Sequence, residues 1–117
     1  MRLIVLTLLL TGVAAHGYGQ SAPKGDTVRG EKAYMHHLCY TCHGTVGQGG
    51  ERGAGPKLAP DVWPYAAFAQ QTRKPRQAMI PFSEKTLPEQ ELVDIHAYLA
   101  SIKPGPAAKD IPLMRDF

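Results

Sequence analysis

Cysteine and histidine set the chemistry open to this chain. Its only two cysteines, Cys39 and Cys42, lie in the stretch CYTCHG, with His43 directly after the second. A structural zinc site wants four ligands, usually from a second cysteine pair or paired histidines. No second pair occurs, and His16, His36, His37 and His96 do not fall into the usual paired spacing. A thioredoxin-like redox pair sits at a helix start beside a parallel sheet, and no strand–helix–strand pattern is visible. A plain disulfide suits an exported chain but leaves His43 unexplained. Cys-x-x-Cys-His is the attachment signature for c-type haem. Two thiols add across the two haem vinyl groups, the two-residue gap bridges the vinyls, and the next residue brings an imidazole to the iron.

The elements that must position this motif follow from the rest of the chain. The N-terminus, MRLIVLTLLLTGVAAHGYGQ, has one early cation, an apolar run and then small residues. That order is a secretory signal peptide, assigned to residues 1–19. The apolar run is shorter than the ~20 residues a span needs, and no second such run follows. No cysteine lies behind it to carry a lipid anchor. Residues 20–26 read as a linker, 27–103 as one domain, and 104–117 as a C-terminal extension. Only nine aromatic residues (one Trp, five Tyr, three Phe) serve the core. A domain this small often needs a staple, and a covalently held group would fill that role. A formal net charge of +3 is too small to point to nucleic acid.

TVRGEKAYMHHL predicts a helix over 27–38, capped by Asp26 or Thr27. The glycine-rich segment 44–55 cannot be a regular element. It is no nucleotide loop either, since neither Gly-Lys-Ser/Thr nor a complete Gly-x-Gly-x-x-Gly occurs. A short helix is expected after Pro64. The strongest helix pattern runs over 87–102, with Pro88 in its first turn and Leu92, Ile95, Leu99 and Ile102 as one apolar stripe. Pro104-Gly105-Pro106 stops it, and the tail is expected to be extended. The fold class is therefore all-α.

GEKAYMHHLCYTCHG, GAGPKL, MIPF and LPEQELVDIHAYLASI, in that order over Gly30 to Ile102, resemble a class I monohaem cytochrome c of bacterial type. The resemblance implies that the N- and C-terminal helices cross and that loops wrap one haem c held by Cys39 and Cys42. Gly30 would permit the close crossing, with Tyr34, Tyr98 and Leu99 beside it. By the same resemblance the Pro56 carbonyl accepts a hydrogen bond from His43, and Met79 is the sixth iron ligand opposite His43. The family's familiar Met-Pro is interrupted here by Ile80. Met35 and Met114 are placed elsewhere, on the first helix and in the tail. His36, His37 and His96 are the alternative ligands, and His96 is read as an ordinary hydrogen-bonding residue. Arg73, Lys74 and Arg76 are candidates for a propionate or the haem edge, and Trp63 or Tyr65 for a propionate hydrogen bond. Each of these also reads as ordinary loop or packing structure.

The implied function is one-electron transfer by an electron carrier without a catalytic site of its own. It would be periplasmic, either soluble or the electron-accepting subunit of a dehydrogenase or oxidase complex. Its partners would be redox proteins, including membrane electron-transfer complexes, with no nucleic acid and no membrane span after signal cleavage. The rivals are a five-coordinate haem protein that binds a gas or peroxide, and a thiol–disulfide oxidoreductase.

Overall fold

Asp26 begins the first helix in the way its side chain allows. Its backbone is extended, and its carboxylate accepts from the Arg29 N–H at 2.8 Å, satisfying one of the donors a helix start leaves free. The computed structural model describes residues 23–114; the expected signal peptide lies outside these residues, as do residues 20–22 of the linker. Helix α1 spans Thr27–His36, α2 Tyr40–His43, α3 Tyr65–Arg73 and α4 Glu89–Ser101. No strand occurs among the described residues. The all-α reading holds.

The boundaries differ from expectation at three places. Helix α1 stops at His36, two residues early, because the chain turns sharply at Leu38, whose φ is 59°. A side chain in this left-handed region carries a cost of about 1–2 kcal/mol. The turn redirects the chain into the cysteine motif. Pro88 is the N-cap of α4 rather than part of its first turn, with ψ at 151°. The tail is not uniformly extended: short 3-10 turns form at Ala108–Asp110 and Pro112–Met114.

Helices α1 and α4 cross through Gly30. A Cβ at this position would lie 1.9 Å from the Asp94 carbonyl oxygen and 2.8 Å from the Tyr98 Cβ. The glycine is what allows the two backbones to touch. Around the crossing, Ala33, Tyr34, Leu87, Leu92, Ile95, Tyr98 and Leu99 are buried together. The Tyr34 and Tyr98 rings pack with centroids 5.6 Å apart. The predicted stripe on α4 is therefore real, although Ile102 at its end is only half-buried.

A buried carboxylate at the crossing was not anticipated. Asp94 is only 1% exposed, and burial of a charge is tolerated only when it is paired. Arg29 Nε donates to one oxygen at 2.8 Å and Arg29 Nη2 to the other at 3.2 Å. The Asp26 N–H and the Gln90 amide also donate to it, at 2.8 and 3.0 Å. The Arg29 hydrogen bond, first, and the other donors hold the Asp94 carboxyl below its ordinary value. A depressed carboxylate stabilises the fold above its unfolded pKa, and that contribution is lost as pH falls toward the folded value. Asp94→Asn should lower the protein's melting temperature by about 5–10 °C at pH 7. The gap should close as the pH drops below about 4; melts at pH 7, 5 and 3 check this, and a gap that does not narrow would contradict it.

Candidate functional site

The motif occupies one short helical turn. Cys39 caps α2 in helical conformation, and Cys42 and His43 end the helix. Residues three and four apart share a helix face, so both thiols and the imidazole project from one side. Both cysteines are free thiols, with Cys42 exposed and Cys39 half-buried. Burial pushes the Cys39 thiol up to about 11. A redox-active cysteine is shifted the other way.

His43 is buried, and its Nδ1 lies 2.8 Å from the Pro56 carbonyl oxygen. A carbonyl can only accept, so Nδ1 carries the proton and Nε2 holds the lone pair. This is the hydrogen bond that the resemblance implied. No other described residue hydrogen-bonds the ring, and no buried side-chain nitrogen or oxygen among the described residues lacks a partner. Among the described residues Nε2 therefore has no hydrogen-bond partner, and its lone pair is free to act as a donor of electrons. A hydrogen bond on the remote nitrogen fixes the tautomer and raises the basicity of the other as a metal ligand.

The glycine-rich segment makes this arrangement possible. The Gly49 N–H donates to the His43 carbonyl at 2.8 Å, and the Gly50 N–H to the Gly55 carbonyl at 3.1 Å. A Cβ at Gly50 would meet the Cys42 carbonyl at 2.1 Å, and one at Gly55 would meet it at 2.5 Å. The loop thus lies flat against the back of the motif, and that closeness delivers the Pro56 oxygen to the ring. Two tyrosines finish the frame. Tyr34 Oη donates to the Gly44 carbonyl at 2.7 Å, and Tyr98 Oη to the Thr45 carbonyl at 3.0 Å. Sequence reading assigned these tyrosines to packing alone. Their polar ends were the overlooked signal, since a buried phenol seeks a partner.

The other predicted residues are distributed as follows. Met79 is half-buried between exposed Ala78 and Ile80, in the loop joining α3 to α4. Met35 packs against the core, and Met114 sits in the last short turn, 49% exposed. His37 Nε2 lies 2.6 Å from Glu91, so its ring is tied to α4. His96 Nε2–H donates to the Trp63 carbonyl at 2.8 Å, the ordinary hydrogen bond expected of it. Trp63 is 53% exposed and shares an open cleft of about 380 Å³ with Lys74 and Arg76. None of the motif residues lines that cleft.

Arg73 is engaged elsewhere. Its Nη1 donates to the Leu87 carbonyl at 2.6 Å and the Phe82 carbonyl at 3.2 Å, and its Nη2 to Glu89 at 2.9 Å. Tyr65 also donates to Glu89. Its hydroxyl first, then Arg73, hold the Glu89 carboxyl below its ordinary value.

The donor set suits a covalently held haem. Two unpaired thiols and an imidazole with its Nε2 free share one face, and the frame behind them is made of backbone. No cluster of three or more His, Cys, Asp or Glu side chains suited to a metal ion occurs among the described residues. A family model described as "Cytochrome C oxidase, cbb3-type, subunit III" matches residues 25–99. No curated protein matches the chain.

Proposed function

The chain belongs to the cytochrome c oxidase, cbb3-type, subunit III family, a family of c-type cytochrome domains, and on that premise we propose that it is a periplasmic one-electron carrier with His/Met ligation. The observation that supports this most is the oriented imidazole of His43. Its Nδ1–H is held by Pro56 and its Nε2 has no partner among the described residues, next to the Cys42 thiol and one helical turn from the Cys39 thiol. Haem iron supplies the Fe(II)/Fe(III) couple when bound. Cys39 and Cys42 would hold the group through thioethers. His43 would supply one iron ligand, its ring and tautomer fixed by the Pro56 carbonyl. Met79 would supply another, a soft donor that would favour the reduced state. With both ligands drawn from the chain itself, no outside ligand would need to enter or leave as charge moves, which would keep reorganisation small. Trp63, with Lys74 and Arg76 across the cleft, remains the candidate for holding a propionate.

The carrier works either free or as the electron-accepting subunit of an oxidase or dehydrogenase complex. The family's name favours an oxidase. The N-terminal signal sequence supports export, and among the described residues no helix is long and apolar enough to cross a membrane. The thiol–disulfide rival is disfavoured by the lack of any strand among the described residues and by the raised Cys39 thiol.

Purified protein should be red, and its haem absorbance should stay with the polypeptide through acid–acetone extraction. Replacing both Cys39 and Cys42 with Ala should move that absorbance into the organic phase or abolish it. A colourless wild-type protein sinks the whole reading.

A further inference from the structure

Residues 74–81 form a loop whose ends are brought together. The Phe82 N–H donates to the Thr72 carbonyl at 3.1 Å, so the chain leaves α3 and returns to it. Met79 lies inside this loop, three residues before the closure. Without further support one backbone bond is a weak fastener, since a typical one contributes about 1 kcal/mol net.

Arg73 supplies the support. It is the last residue of α3, and its side chain is mostly buried, at 17% exposure. Its guanidinium reaches three points beyond the loop: the Phe82 carbonyl, the Leu87 carbonyl and the Glu89 carboxylate. These are the closure residue, the residue before the α4 cap, and the first residue of α4. One planar cation thus ties the end of α3 to the return of the loop and to the start of α4. Lysine cannot reproduce this, because its ammonium lacks the fixed fork that satisfies several acceptors at once. Glu89 is in turn oriented by Tyr65 from the first turn of α3. On the loop side, the Gln71 amide exchanges long hydrogen bonds, both 3.4 Å, with the Arg76 backbone.

We propose that Arg73 is a positioning residue for the distal ligand: its three-point clamp fixes the base of the 74–81 loop and so holds the Met79 thioether ready for the iron. The inference rests on Met79 being that ligand. It gives Arg73 a different task from pairing with a propionate, because both of its terminal nitrogens already donate to acceptors of its own chain.

The test uses the haem-loaded protein with Arg73→Lys and, as a milder variant, Glu89→Gln, which leaves both carbonyl contacts in place. Both should retain covalent haem and helix content. Oxidised Arg73→Lys should lose at least half the intensity of the sulfur–iron charge-transfer band. Reduced Arg73→Lys should bind carbon monoxide about tenfold more tightly than wild type, as a larger share of molecules has an open iron. Amide exchange at Phe82 should speed up in parallel. Glu89→Gln should show the same changes to a smaller degree, and it reads out the clamp even if Arg73→Lys fails to fold. A wild-type band and wild-type resistance to carbon monoxide in both variants overturn the clamp while leaving Met79 as ligand. A wild-type protein without the band overturns the Met79 ligation and the clamp together.

Discussion

Gly30→Ala should destabilise the protein by about 1–2 kcal/mol net, the reverse of what the substitution does in an ordinary helix. Alanine in place of an interior helix glycine is favourable by about 1 kcal/mol on intrinsic propensity. At Gly30 the new methyl would stand 1.9 Å from the Asp94 carbonyl oxygen and 2.5 Å from its carbonyl carbon. Those atoms are backbone and cannot rotate away, so α1 and α4 must separate. Overpacking of a close contact costs about 1–3 kcal/mol and sometimes more, which exceeds the propensity gain. Separation would also stretch the Arg29–Asp94 bonds and loosen Tyr34 against Tyr98. Gly105→Ala is the control, because a Cβ there meets nothing within 4 Å and should change stability by less than about 0.5 kcal/mol. Denaturant unfolding of the two holoproteins measures both. A Gly30→Ala protein as stable as wild type would mean that the helices do not touch there.

The two helices were legible in the sequence because their signals are local and repeated, whereas their crossing at Gly30 was what the family resemblance implied. The α4 stripe recurs at helical spacing, Pro88 and the first-turn acids mark its start, and Gly30 stands out inside an otherwise ordinary helix. The cysteine motif was equally legible, since its spacing is itself the chemistry. Asp94 was not. It lies among apolar residues of α4, and only the approach of Arg29 from another helix makes its burial tolerable. Sequence spacing carries no trace of that pairing. Leu38 was likewise silent, because its left-handed backbone answers to the direction in which α1 must hand the chain to the motif. The polar ends of Tyr34 and Tyr98 and the engagement of Arg73 are also tertiary facts. A guanidinium near a predicted cofactor loop looks the same in sequence whether it faces a propionate or three acceptors of its own chain.

Met79→Ala should leave haem attached, lower the reduction potential by on the order of 0.1 V or more, and let the reduced iron bind carbon monoxide. On the proposed attachment through Cys39 and Cys42, colour should persist. The thioether is a soft donor that stabilises Fe(II) over Fe(III), and alanine cannot replace it. The other described methionines serve as controls. Met35 is packed against the core, so Met35→Ala should cost about 2–3 kcal/mol of stability and leave the potential unchanged. Met114 is half-exposed near the end of the chain, and its replacement should change neither. The histidines make this a sharp comparison. His37 and His96 have ring nitrogens engaged by Glu91 and Trp63, and either would have to give up its partner to reach the iron. His36 is exposed beside His37 at the end of α1. If Met79→Ala keeps the wild-type potential and low-spin spectrum, another side chain is the sixth ligand. If it opens the iron as expected, the loop between α3 and α4 is where this domain is committed to passing electrons instead of binding gas.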